Sequence, residues 1–114
     1  MSGNVSASRV LGDGNALLSS CSAFLRVLDR SGDGSDGFSA GACVGYVTGA
    51  SDFNTVHAAV SGGEKEGFFC VPPDVPLGQK VRVLVQYLKA NPSELNRLQS
   101  ILTMNAFSEA FPCK

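Results

Sequence analysis

Four cysteines, at positions 21, 43, 70 and 113 of a 114-residue chain, restrict this sequence more than any other feature. An even number of cysteines in a small domain reads as a disulfide framework, because such domains supplement a limited core with covalent staples. A reducing cytosol would keep these thiols apart, so two disulfides imply an oxidising compartment. A metal site is the competing use of four cysteines, and the spacing speaks against it. Cys21, Cys43, Cys70 and Cys113 contain no Cys-x-x-Cys knuckle, and the only histidine, His57, lies 13 residues from Cys70. A catalytic thiol paired with His57 is a further possibility of low specificity, since any cysteine would serve.

The rest of the composition describes one domain. A chain of this length with 44 % hydrophobic residues can bury a real core without being large enough for two. A net charge of −1 and the absence of a basic cluster exclude phosphate-backbone recognition, so no nucleic acid partner is expected, and an anionic membrane surface is disfavoured on the same ground. No stretch approaches the roughly 20 apolar residues of a spanning helix. The polar start, Met1 to Gly14, does not read as a signal peptide, so a periplasmic chain would be a mature form whose leader was replaced by an initiator methionine. No cofactor is implied.

Hydrophobic periodicity predicts an all-α domain over residues 13–114, a small bundle of four to five helices, after a flexible arm over residues 1–12. A first helix is expected from about Asn15 to Asp29, with Leu17, Leu18, Cys21, Phe24, Leu25 and Leu28 on one face and Asp13 or Asn15 as cap. The Gly/Asp/Ser run from Asp29 to Gly37 places Asp29, Ser31, Asp33 and Gly34 as in an EF-hand loop. Ala40 then stands where the bidentate carboxylate belongs, and Asp36 where an apolar residue belongs, so a solvated turn is the plainer reading.

A second helix is expected from a cap at Ser39 to about Val60, with Ala40, Cys43, Val44, Val47, Phe53, Val56 and Val60 on its apolar face. Gly45 and Gly49, one turn apart, suggest either close approach of another helix or a break before Asp52. The segment from Leu77 to Ala90 fits both strand alternation and a helical stripe; its length, and the lack of a partner strand, favour helix. A last helix is signalled by Asn91-Pro92-Ser93-Glu94, a cap followed by proline and glutamate, with Leu95, Leu98, Leu102, Ala106 and Ala110 on one face. Short connections make two antiparallel hairpins. Of the three possible connectivities, that geometry prefers Cys21 with Cys43 and Cys70 with Cys113.

Between the second and third helices lies Ser61-Gly62-Gly63-Glu64-Lys65-Glu66-Gly67, a glycine-rich loop with three charges at its tip. A loop displayed on a rigid scaffold is a candidate contact surface.

Cys43-Val-Gly-Tyr-Val-Thr-Gly49, Phe69-Cys70-Val-Pro72, Gln79 with Val83, Tyr87-Leu88, Pro92 and the ending Ala110-Phe-Pro-Cys113 resemble, in order and spacing, the type VI secretion amidase immunity (Tai) family, which includes the Rap resistance-associated immunity proteins. The resemblance covers about residues 13 to 114. It implies a periplasmic all-helical homodimer that binds an injected peptidoglycan amidase, a papain-like cysteine hydrolase, and occludes its cleft with a protruding loop. The immunity protein itself would perform no chemistry. The shared anchors read as structural: Cys43, Cys70 and Cys113 fix the frame, Gly45 and Gly49 permit close packing, Tyr46 and Tyr87 bury large bodies, and Pro112 stops the last helix. Partner specificity would then rest with Ser61 to Gly67, and the surface near Asp52, Asn54 and His57 would be its flank or part of a dimer face. Two other readings compete: a periplasmic chaperone or structural protein on the same frame, and a cysteine hydrolase using His57.

Overall fold

The computed structural model describes residues 12–114, and all but Gly12 of the arm expected over residues 1–12 lies outside the described residues. The described chain is all-α: α1 (Gly14–Leu28), α2 (Asp36–Val60), α3 (Leu77–Ala90) and α4 (Gln99–Ala110), with short 3-10 turns at Glu64–Glu66 and Pro92–Glu94. No strand occurs among the described residues, and no helix there is long and apolar enough to cross a membrane.

Both cysteine pairs form as the hairpin geometry prefers. Cys21 joins Cys43 and Cys70 joins Cys113, each with Cα atoms 4.9 Å apart. The first bridge ties α1 to α2 inside the core, where both cysteines are fully buried. Around it pack Leu17, Val47, Val81, Leu84, Leu88 and Phe107. The separations of 22 and 43 residues correspond, in the chain-entropy account, to about 3 and about 4 kcal/mol of stabilisation.

α1 starts one residue before its expected start because its orphan amides all find acceptors. Asp13 caps Ala16 through its carboxylate at 2.9 Å, while the amides of Gly14 and Asn15 donate to the carbonyls of Arg97 and Leu95. Those two carbonyls explain the main departure from expectation. The last helix does not run from Pro92: after one 3-10 turn the chain opens, Leu98 takes an extended conformation, and α4 begins at Gln99. Opening the chain there frees the carbonyls that close the end of α1. Asn91 is no cap either; its side-chain amide donates to the Tyr87 carbonyl at the end of α3. Leu98 is consequently exposed, whereas Leu102, Ala106 and Phe107 carry the buried face of α4.

The turn between α1 and α2 is held by ion pairs. Arg26 grips Asp36 with two hydrogen bonds, and Asp29 pairs with Arg82 on α3. Hydrogen bonds from Arg26 hold the Asp36 carboxyl below the usual carboxylate range, and those from Ser35 do the same for Asp33. The carboxylates of the EF-hand-like run are thus committed to the turn, which lets α2 begin at Asp36, a turn before the expected Ser39.

α2 also corrects two expectations. It runs unbroken to Val60, and a Cβ added at Gly45 or Gly49 would meet nothing within 4 Å. These glycines therefore neither break the helix nor admit a neighbouring one within the fold; they lie on its open side. Phe53, Val56 and Val60, expected in the core, are 64 %, 58 % and 78 % exposed. The cause is length: α2 spans roughly 37 Å against roughly 22 Å for α1. Only its first half is matched by α1, and its second half packs on the turn Glu64–Glu66 instead.

Candidate functional site

The segment that follows α2 is a built loop. Gly62 and Gly63 have φ of 126° and 140°, conformations that disfavour any side chain, and they allow the Gly63 amide to donate back to the Ala58 carbonyl at 2.9 Å. This caps α2 and turns the chain sharply. Glu64, Lys65 and Glu66 then form one 3-10 turn, all three exposed, and none joins an ion pair among the described residues. Three charges at a loop tip with no internal partner are available to an external one.

The far end of the loop is fastened by one side chain. Asn54, on the inner face of α2, accepts hydrogen bonds from the amides of Phe68 at 2.7 Å and Phe69 at 3.4 Å, and donates to the Phe69 carbonyl at 2.7 Å. Gly67 is required for that approach, because a Cβ there would sit 3.0 Å from the Asn54 side-chain oxygen. His57 stacks on Phe68 with ring centroids 4.0 Å apart and planes 11° from parallel. Phe69 is buried against Phe107. Below the loop, the Cys70–Cys113 bridge touches its backbone, with the Glu64 carbonyl 3.3 Å from one sulfur and the Gly67 carbonyl 3.5 Å from the other. The Cys70 amide donates to the Phe111 carbonyl at 2.8 Å, so the chain end and the loop base form one unit.

The site residues expected from sequence thus divide into two groups. Ser61 to Gly67 and His57 come together as a loop with its aromatic support. Gly45 and Gly49 lie elsewhere on α2. Tyr46 and Tyr87 are half-buried against the core; burial pushes the Tyr46 phenol up from its ordinary range, and its hydroxyl reaches toward Thr103, whose own hydroxyl is buried. Pro112 is exposed beside the second bridge. Sequence reasoning placed Asn54 only on a flank, whereas it is the loop's main anchor. With all four cysteines bridged, there is no free thiol for His57 to activate. No group of three or more His, Cys, Asp or Glu side chains among the described residues is arranged to hold a metal ion.

Buried and half-exposed disulfides together are the chemistry of an oxidising compartment. No curated protein and no solved structure matches the chain. A family model for Rap1a immunity proteins, however, matches residues 13–113, which takes in both disulfides, all four helices and the whole loop. The chain belongs to the Rap1a immunity protein family.

Proposed function

We propose that this protein is a periplasmic immunity protein that binds a type VI secreted peptidoglycan amidase and blocks its active-site cleft with the loop Ser61–Gly67. The observation that carries the reading is the loop itself: an exposed, charged tip whose two ends are held by the glycine cap of α2, by Asn54 and by the Cys70–Cys113 bridge. A pre-ordered loop loses little conformational entropy on binding, which is what an inhibitor that must hold a cleft closed requires. Protection by occlusion needs no chemistry from the inhibitor.

The homodimer belongs to the same proposal. The open face of α2 carries Phe38, which is 90 % exposed, then Gly41, Gly45 and Gly49, then Phe53 and Val56, and the helix has only two charged residues, Asp36 and Asp52. Two antiparallel copies related by a twofold axis near Val47 place Phe38 of one beside Val56 of the other, and Phe53 over Gly41 and Ala42. This accounts for the glycines that pack against nothing within one chain. It also gives the exposed apolar residues a use other than chaperone-like capture of unfolded proteins. In sedimentation, Phe53→Glu should then run as a monomer where the parent runs as a dimer.

The deciding experiment is co-purification with a type VI secreted peptidoglycan amidase, followed by a cell-wall hydrolysis assay. A protein in which Ser61–Gly67 is replaced by a short Gly/Ser linker should keep its helical circular dichroism and lose inhibition. Undiminished inhibition by that variant would remove the loop from the mechanism; absence of any complex with the parent protein would remove the immunity reading itself.

A further inference from the structure

Three of the four lysines of the chain, Lys65, Lys80 and Lys114, line a single groove of about 970 Å3. It runs between the second half of α2, the loop and the stretch from Phe69 to Val75. Glu64 is the only carboxylate side chain along it. The three ion pairs among the described residues all use arginines, so none of these ammonium groups is ion-paired there. Glu64 and the α-carboxylate of Lys114 offset part of this charge, and the groove keeps an excess of ammonium groups in a protein of net charge −1. Lys80 is also held in place, its ammonium donating to the Ser51 hydroxyl at 3.3 Å across the groove.

The walls between the lysines are apolar. Phe69, Val71, Pro72 and Val75 contribute, and Val71 makes no backbone–backbone hydrogen bond among the described residues although both its neighbours on the groove wall are fixed in the chain. An amide and a carbonyl left unpaired beside a groove offer main-chain hydrogen bonds to a chain lying in it. The size is at the upper end for small-molecule pockets and the groove is open, which suits a length of polypeptide.

We propose that this groove docks an extended segment of a partner protein bearing aspartate or glutamate side chains. The proposal rests on the reading that the protein acts by binding a protein, and it gives that partner a second contact, chemically distinct from the cleft the loop enters. The lysines select acidic side chains, the apolar walls take the residues between them, and Val71 pairs with the backbone.

The test uses the intact protein and a blocked hexapeptide alternating glutamate and valine, followed by amide chemical shifts. Shifts are expected at Asn54, Val71 and Lys80, weakening as salt is added, with no comparable response to the matched lysine–valine peptide. Lys65→Glu and Lys80→Glu should each lower the affinity about fivefold. Lys89→Glu, which changes the one lysine outside the groove, should leave it unchanged. Equal shifts with both peptides, full reproduction of the pattern by free glutamate, or unaltered affinity in Lys80→Glu would overturn the proposal. Because no amidase is present, the result is separable from that of the loop replacement. Inhibition lost with the loop but no peptide binding would leave the occlusion reading and remove the groove, and the opposite pair of results would do the reverse.

Discussion

Asn54→Ala is the substitution with the largest expected consequence for the loop. It deletes an acceptor for the Phe68 and Phe69 amides and a donor to the Phe69 carbonyl. Phe69 is 2 % exposed, so its backbone groups cannot simply turn to water. Leaving a buried donor or acceptor unpaired costs about 1 to 3 kcal/mol. With the 3.4 Å bond counted as weak and Phe68 half-exposed, the net cost comes to roughly 2 kcal/mol. The loss is local, because the disulfide at Cys70 and the packing of Phe69 on Phe107 remain. Hydrogen exchange at the Phe68 and Phe69 amides should therefore accelerate about 30-fold, while helical circular dichroism is retained. Asn54→Asp sharpens the test, since it keeps an acceptor for both amides and sets a carboxylate oxygen against the Phe69 carbonyl in place of the donor. It should restore protection at the Phe68 amide. Equal exchange in the parent, Asn54→Ala and Asn54→Asp would refute the argument that this side chain holds the loop.

The two disulfides should differ in reactivity, because Cys21 and Cys43 are fully buried whereas Cys70 and Cys113 are half-exposed. Limited treatment with a phosphine followed by alkylation and mass mapping should label Cys70 and Cys113 first; prior labelling at Cys21 would contradict the burial. At Arg30, a non-glycine residue with φ of 60°, Arg30→Gly should stabilise the protein by about 1 kcal/mol, a rise in Tm of about 4 °C by calorimetry. The carboxyls of Asp36 and Asp33 lie below the usual range when folded, so the stability they contribute is present above the ordinary aspartate range and is lost as pH falls through their lowered folded values. Chemical denaturation across acidic pH should show that loss, and Asp36→Asn should flatten it.

Helix placement was legible wherever the signal is local. Leu77–Ala90 was readable from its length and the lack of a partner strand, and the two hairpins were enough to order the cysteines. What could not be read locally depended on partners distant in sequence. Nothing near Leu95 says that its carbonyl is needed by Asn15, 80 residues away, yet that need accompanies the delayed start of α4. The apolar pattern of α2 could not separate a core face from a face left open by a shorter neighbour, which is why Phe53, Val56 and Val60 were misplaced and the glycines misassigned.

Asn54 is the more instructive case, because a signal was present. It lies seven residues after Val47 and four before Ala58, both buried, so the helical period puts an amide where an apolar side chain belongs. A carboxamide in that position costs free energy unless it is hydrogen-bonded, and no helix backbone group is free to serve it in mid-helix. Its partners must then come from outside the helix, and the nearest chain with unpaired backbone groups is the irregular stretch after Gly67. The polar interruption of the α2 stripe and the glycine-rich loop are therefore two halves of one device, an anchor and the segment it holds. The charged tip between them owes its fixed position to a residue that carries no charge.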